Sequence, residues 1–243
     1  MSGRSLRDTA LVLAAHGDRG GEAPNGLLLA HRDRLHAAGV FLGVTAGVIK
    51  GEPSLEEALT AASGTGATRL AVFPMFMADG YFTRTVLPER IAALGIAVPC
   101  TLLPPLGLQP ELPDLMLADA LATADRSGID PGGARLLVVG HGSKLGPASA
   151  DATRAVAEAI GRSAPFQRVE TAFLEEPQPT VISGFFSGEG MHAAEDVPRA
   201  MAQSGCPAVY AGPIGASPAL AGLILDAVLR HTGLVAPEEP RRN

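Results

Sequence analysis

The chain has 243 residues, enough for one large domain or two small ones with a buried core. Hydrophobic residues make up 47% and charged residues 18%, which excludes a disordered chain, and a net charge of −6 argues against capture of nucleic acid or an anionic membrane. No apolar run reaches the length of a membrane span, and Cys100 and Cys206 lie outside any C-x-x-C pair, so we expect a cytoplasmic protein.

Strands and helices are predicted to alternate through the first half. Gly39 is a plausible helix C-cap, and the Pro53–Ser54 pair is typical of a helix start. The predicted strands cover 10–15, 40–49, 70–77 and 97–103, and the predicted helices cover 26–38, 54–62 and 86–94 before a last helix that ends near 124. This alternation predicts a parallel sheet covered on both faces, an α/β fold.

The segment R-S-G-I-D-P-G-G at 126–133 is the best candidate for a linker, after which the series starts again. We therefore predict two tandem doubly wound domains, 1–126 and 134–243. In the second, strands are predicted up to 139, at 169–174 and at 181–186, and helices at 150–160 and 218–231.

The two halves repeat one another. The strand L-V-L-A-A leads into His16, and L-L-V-V-G leads into His141, 125 positions later. A sequence offset of 125 also aligns G-V-I-K-G-E-P with A-F-L-E-E-P-Q, and an offset of 110 aligns A-D-G-Y-F with G-E-G-M-H. The aligned pairs are His16 with His141, Lys50 with Glu175, and Phe82 with His192.

These positions fall at or just beyond predicted strand ends, where open α/β sheets bind their ligands. Two imidazoles and a carboxylate, as in His141, His192 and Glu175, can hold a divalent first-row metal and leave coordination positions open. The imidazole, lysine and phenyl ring of the first half cannot. If there is a metal site, the second half carries it.

Other interpretations stay open for several of these residues. His141 and His192 could be structural histidines, and Glu176 could replace Glu175 as the working carboxylate. The motif G-H-G-S-K-L-G also resembles a dinucleotide fingerprint, although the acid that should end the next strand comes too late. The remaining helical histidines, His31, His36 and His231, are predicted to be solvated.

Four motifs in order, in both halves, resemble the class II tetrapyrrole chelatases, the sirohydrochlorin cobalt and iron chelatases. They are the H-G-S strand end, the A-F-L-E strand, the G-x-x-H loop and the P-x-G-x-x-P-x-L segment. The resemblance implies two doubly wound domains facing each other across a cleft. It implies insertion of Co²⁺, or Fe²⁺ or Ni²⁺, into a sirohydrochlorin-type tetrapyrrole, with no organic cofactor. His141 and His192 would bind the metal, and Glu175 would assist catalysis.

The many carboxylates of such a macrocycle need cations at the rim of the cleft. The residues proposed to contact substrate are His16, Lys50, Arg84 and Lys144, with Arg19 as a further candidate. A non-catalytic tetrapyrrole- or metal-binding protein is the main alternative function, and a metal-dependent hydrolase is a weaker one.

The second half is 15 residues shorter between Glu175 and His192, as the change of offset from 125 to 110 shows. A parallel connection normally needs a dozen or more residues, so we expect this half to lack one crossover helix. An uncovered sheet face usually marks a contact surface, which suggests a homodimer.

Overall fold

The structure, a computed structural model, describes residues 5–18, 24–140, 148–171, 180–204 and 208–234. Across these residues, no helix is both long enough and apolar enough to cross a membrane.

The described residues of the first half form four strands and four α-helices. The strands are β1 (Thr9–Ala15), β2 (Gly43–Val48), β3 (Arg69–Pro74) and β4 (Cys100–Leu102). The helices are α1 (Gly26–Ala37), α2 (Leu55–Ser63), α3 (Leu87–Ala93) and α4 (Leu112–Arg126).

The described part of the second half repeats this series with one helix fewer. The strands are β5 (Arg135–Gly140), β6 (Arg168–Thr171), β7 (Thr180–Phe185) and β8 (Ala208–Pro213). The helices are α5 (Ala148–Gly161), α6 (Val197–Ser204) and α7 (Leu220–Thr232).

Each half forms a four-stranded parallel sheet with the same strand order, β2-β1-β3-β4 in the first and β6-β5-β7-β8 in the second. The central strands β1 and β5 are continuous apolar runs because helices or loops cover both of their faces. The predicted α/β class with two parallel sheets is confirmed.

Local chemistry explains the helix boundaries that were predicted correctly. Ser54 accepts a hydrogen bond from the Glu57 backbone N–H, and the Glu57 carboxylate accepts one from the Ser54 backbone, a capping box at the start of α2. Hydrogen bonds from the Ser54 side chain and from the Ser54 backbone hold the pKa of the Glu57 carboxyl below its usual range. After α1, Gly39 has φ +65°, as expected of a glycine that ends a helix.

The last helix of each half packs on the other half's sheet. Helix α4 contacts β7, β8 and α5, whereas α7 contacts β3 and α1. One hydrophobic cluster consequently runs through both halves and includes Leu13 of β1, Met116 of α4, Val138 of β5 and Ile224 of α7. Arg230 of α7 adds an ion pair between the two halves, with Glu111 at the start of α4.

The connection between β6 and β7 is the place where the two halves differ in length. In the first half, α2 lies between β2 and β3 and packs on the face of the sheet that carries Val12 and Leu70. In the second half only residues 172–179 separate β6 from β7, and they lie outside the described residues. Strand β7 and the following residues 186–190 contain no helix. The predicted loss of the crossover helix concerns the undescribed connection and stays a prediction.

Candidate metal and tetrapyrrole site

Both halves place a π-helical turn at the same position of the repeat. In the first half it covers Phe82–Val86 and leads into α3, and in the second it covers His192–Asp196 and leads into α6. In each turn the backbone N–H of the following residue reaches back five positions, to Phe82 or to His192. Such turns often mark functional sites, and their coincidence agrees with the offset of 110 between the halves.

The His192 side chain is held by a carboxylate from its own helical turn. His192 Nδ1 lies 2.7 Å from Asp196 Oδ2, and Arg199 Nη1 donates to Asp196 Oδ1 at 3.1 Å. The second guanidinium nitrogen of Arg199 lies 3.6 Å from a carboxylate oxygen of Glu195. An ionised carboxylate can only accept hydrogen bonds, so His192 carries its proton on Nδ1 in this pair.

The corresponding turn of the first half is lined with aromatic side chains. The His16 and Phe82 rings meet edge-on, with centroids 4.9 Å apart. Phe76 stacks on Phe82 at 6.0 Å, and Tyr81 contacts it at 5.6 Å. Where the second half has His192 and Asp196, this half has Phe82 and Val86, and neither side chain can bind a metal ion.

His16 and Lys50 are joined through their backbones. The Lys50 N–H donates to the His16 carbonyl at 2.9 Å, which brings the ends of β1 and β2 together. Gly17 has φ +107°, and a Cβ atom there would lie only 2.0 Å from the Lys50 carbonyl oxygen, so this junction requires glycine. Lys50 itself is exposed.

Arg84 is exposed at the first-half turn and already has a carboxylate partner. Its Nε donates to Asp79 Oδ2 at 2.8 Å, while Thr83 binds the other oxygen of Asp79. A substrate carboxylate would therefore have to compete with Asp79 for this guanidinium.

The loop after β1 touches the loop that precedes His192. A Cβ atom on Gly188 would lie 3.2 Å from Asp18 Oδ1, and one on Gly190 would lie 3.7 Å from it. A hydrogen bond from the Asp18 backbone N–H to the Asn25 side chain, at 2.8 Å, fixes the position of Asp18. The His16 end of the first sheet and the His192 turn of the second half consequently face a common region.

His31 does not behave as predicted. It was expected to be solvated, but it is 0% exposed, and its Nε2 lies 2.6 Å from the Gly215 carbonyl of the other half. Burial lowers the pKa of His31, the Gly215 hydrogen bond opposes that effect, and Arg34 adds to it. Exclusion from water therefore keeps this histidine neutral. His36 and His231 are exposed, as predicted.

Gly215 is a structural counterpart of Gly107. A Cβ atom on Gly215 would collide with the Ser187 carbonyl oxygen at 1.9 Å, just as one on Gly107 would collide with that of Met77. Each glycine also donates its N–H to the residue before that carbonyl, Phe186 or Phe76. The P-x-G segments thus support the loops that lead to the two π-helical turns.

Tyr210 of β8 lies on the face of the second sheet that carries α6. Burial first, and the Glu189 carboxylate second, raise its pKa to about 12. Its hydroxyl is shielded from water and has no hydrogen-bond partner within the described ranges. Tyr210 therefore stays a neutral phenol at neutral pH, which makes it a poor candidate for accepting protons.

Several predicted site residues lie outside the described residues, namely His141, Lys144, Glu175 and Arg19. In the part of the chain that the structure describes, no three His, Cys, Asp or Glu side chains converge into a metal site. A groove of about 620 Å³ between α5 and β6 is lined by Arg154, Arg162 and Arg168 among others, and no predicted site residue lines it.

Sequence reasoning missed Asp196, Asp18 and His31. Asp196 carried a detectable signal, because a carboxylate four residues after a candidate ligand on a helix faces that ligand. Asp18 and His31 act across the two halves, and no local pattern indicates such contacts.

Two curated relatives match the chain. A probable sirohydrochlorin cobaltochelatase of Halobacterium salinarum is 24% identical over 89% of this chain and 89% of its own length. A sirohydrochlorin cobaltochelatase of Methanosarcina barkeri is 30% identical over 38% of this chain and 92% of its own. The second relative thus corresponds to roughly one of the two repeated halves of this chain.

Solved structures match the fold over nearly the whole chain. CbiX, the terminal enzyme for siroheme biosynthesis in denitrifying bacteria, has 26% identity and a TM-score of 0.71, and the match covers 91% of this chain and 98% of CbiX. SirB from Bacillus subtilis with Fe³⁺ has 20% identity and a TM-score of 0.76, covering 92% and 95%. The CbiX family model matches residues 10–122 and again 135–231. This chain therefore belongs to the CbiX family, with one copy of the family unit in each half.

Proposed function

We propose that this protein is a metal chelatase that inserts a divalent cation into sirohydrochlorin. Family membership supports the reaction class, and both curated relatives carry the name sirohydrochlorin cobaltochelatase. The reaction exchanges two pyrrole N–H protons of the macrocycle for one M²⁺ ion. It contains no redox step, so it needs no organic cofactor.

We further propose that His141 and His192 bind the metal ion. The observation that supports this pair most directly comes from the other half, where their repeat counterparts, His16 and Phe82, are in edge contact at 4.9 Å. Two residues at these positions of the same fold can therefore reach one another. A two-histidine site leaves coordination positions open, which a site that must pass its ion on requires.

Glu175 is the proposed acceptor of the pyrrole protons. A carboxylate can take up a proton as the metal displaces it from nitrogen, and it can offset the positive charge of the ion beforehand. Its repeat counterpart is Lys50, which is joined to His16 through the backbone. This junction supports placing Glu175 beside His141.

The first half is the proposed binding wall for the macrocycle. Tyr81, Phe82 and Phe76 offer apolar surface to the ring system, and Lys50 and Arg84 are cations for its carboxylates. Lys144 of the second half is a further proposed cation. Tyr81 is 63% exposed, and Met191, at the equivalent position before His192, is 57% exposed. These two side chains are suited to contact the apolar faces of a flat substrate.

The decisive experiment mixes the purified protein, Co²⁺ and metal-free sirohydrochlorin and follows the absorbance of the macrocycle. We expect conversion faster than in the protein-free control, with Co²⁺ preferred to Fe²⁺ and Ni²⁺ as substrate. Tight binding of the macrocycle with no acceleration would instead indicate a non-catalytic binding protein. The name cobaltochelatase of the relatives favours Co²⁺ as the substrate. Iron is included in the assay because SirB has been solved with Fe³⁺.

Two further proposals concern the setting of the reaction. The cytoplasm is the proposed location, because two cysteines without a C-x-x-C pair suit a reducing compartment. A homodimer is proposed because the second half lacks room for a crossover helix between β6 and β7. Size-exclusion chromatography with light scattering tests the second point, and a monomeric mass contradicts it.

A further inference from the structure

We propose that Asp196 is the positioning residue of the metal-binding histidine, holding the His192 ring with Nδ1 protonated so that Nε2 is the nitrogen that receives the incoming cation. The inference rests on the proposed role of His192 as a ligand. It adds a residue, a tautomer and a choice of nitrogen that the proposed function does not contain.

The tautomer follows from the contact itself. At 2.7 Å, Nδ1 and Asp196 Oδ2 share a hydrogen, and the carboxylate cannot supply it when ionised. Nδ1 is therefore the donor, and the lone pair of neutral His192 is on Nε2. Histidine ligands of metals commonly donate their other ring N–H to a carboxylate, which fixes the ring and raises its basicity.

Asp196 is held in place on its other side as well. Arg199 donates to Oδ1 at 3.1 Å while His192 occupies Oδ2, so both carboxylate oxygens are engaged. This arrangement keeps Asp196 an acceptor for the imidazole and opposes its rotation toward an incoming ion. Arg199 also has a second, longer contact with Glu195, at 3.6 Å.

An ordinary surface ion pair is the competing explanation, since these side chains are partly exposed and exposed pairs contribute little to stability. The repeat argues against it. The first half forms the same π-helical turn with Phe82, Val86 and Glu89 at the positions of His192, Asp196 and Arg199. The turn itself therefore requires none of the three polar residues. They occur together only where a metal ligand is proposed.

The first test uses the metal-free protein and does not depend on activity. The ¹⁵N chemical shifts of the His192 ring, measured at one neutral pH, report which nitrogen is protonated. We expect the Nδ1–H tautomer in the wild type and a mixture of tautomers in Asp196→Leu. An Nε2–H tautomer in the wild type, or the same shifts in both proteins, would overturn the proposal.

The second test measures Co²⁺ affinity through the visible absorption bands of bound Co²⁺. Asp196→Leu should weaken binding about 10- to 100-fold, the usual effect of losing an outer-shell partner, and should raise the KM for Co²⁺ while leaving the KM for the macrocycle unchanged. Asp196→Asn keeps an acceptor oxygen of the same reach and should recover most of the affinity. An Asn variant as weak as the Leu variant, with altered Co²⁺ bands, would make Asp196 a direct ligand and contradict the proposal.

Glu195→Gln is the matched control. It removes one negative charge from the neighbouring residue, whose carboxylate lies 3.6 Å from Arg199, so Co²⁺ affinity should be close to that of the wild type. Equal losses in Glu195→Gln and Asp196→Leu would indicate general electrostatics and overturn the positioning role. The variant His192→Ala distinguishes failure of the positioning role from failure of the proposed metal site. If it binds Co²⁺ as tightly as the wild type does, His192 is not a metal ligand, and the proposed function is contradicted whatever the tautomer of His192 in the wild type.

Discussion

The two π-helical turns are one backbone with two different chemistries. Phe82–Val86 and His192–Asp196 share the same hydrogen-bond pattern and the same place after the third strand of each sheet. One is packed with aromatic rings around His16, and the other carries an imidazole braced by a carboxylate. The comparison teaches that the duplicated fold supplies the position, and that a few side chains decide its chemistry, which is aromatic in one half and a hydrogen-bonded imidazole in the other.

Removal of the proposed metal ligands should give the largest difference in activity between matched variants of the two halves. His141→Ala and His192→Ala should each slow metallation by about 100-fold or more, since losing a ligand should exceed the loss of an outer-shell partner. The absorbance assay measures the rate. Phe82→Ala, the matched change in the first half, should affect the KM for the macrocycle more than the KM for Co²⁺. A similar pattern for Phe82→Ala and His192→Ala would remove the proposed division of labour.

The contact between the halves should be the next most sensitive feature. His31→Leu leaves the Gly215 carbonyl without its donor in a buried place, which should lower the free energy of unfolding by about 1–3 kcal/mol at neutral pH. Denaturant titration measures the change. His36→Leu on the same helix is the control, because His36 is exposed and should matter little.

The same histidine predicts a pH dependence. Burial lowers the folded-state pKa of His31 below 6.5, so the unfolded chain binds the proton more readily. The contribution of His31 to the free energy of unfolding is therefore complete above pH 6.5. It declines as the pH falls below that value and levels off below the folded-state pKa. The difference in unfolding free energy between wild type and His31→Leu should therefore narrow on acidification. A constant difference would contradict a buried neutral imidazole.

Charge reversal in the first half should have a smaller effect on substrate binding. Lys50→Glu should weaken macrocycle binding about fivefold and make it less sensitive to salt, because an exposed ion pair contributes up to about 1 kcal/mol and is screened. Fluorescence titration with metal-free sirohydrochlorin at several salt concentrations measures both. Unchanged affinity and salt dependence would exclude Lys50 from the binding wall.

The smallest effect on activity is expected where metal-binding chemistry is added to the first half. Phe82→His alone should leave the metallation rate close to that of the wild type. The double variant Phe82→His/Val86→Asp reproduces the second-half pair beside His16 and should bind a second equivalent of Co²⁺, measured by equilibrium dialysis. If it binds no additional metal, the two turns differ in more than these side chains.

The sequence predicted the central strands and most helices because their signals are local. The run L-V-L-A-A is apolar throughout since both faces of β1 are buried, and Ser54 with Glu57 marks the start of α2. Helix α6 and strand β8 were not assigned, because α6 is only eight residues long and β8, A-V-Y-A-G-P, ends in a glycine and a proline. Strand β2 begins three residues later than predicted, at Gly43, because an apolar run does not show where pairing with β1 starts.

The candidate site was predictable to the extent that the repeat could be read. Comparing the halves isolated His192 and Phe82 at one position, and the structure places them in the same kind of turn. The π-helical hydrogen bonding could not be foreseen, since it differs from an α-helix by a single residue in register. His31 was misjudged because its partner, Gly215, is 184 positions away.

The packing of α4 and α7, each on the sheet of the other half, has a consequence for synthesis on the ribosome. Helix α7, at Leu220–Thr232, packs on β3 of the first sheet and is translated after the other helices that the structure describes. Until those residues leave the exit tunnel, the apolar surface at β3 lacks the cover that α7 provides, while α1 already packs on β1 and β2. Exposed apolar surface of this kind is prone to association with chaperones or neighbouring chains. A ribosome stalled before Leu220 should therefore display a protease-sensitive first half, which becomes resistant once α7 emerges.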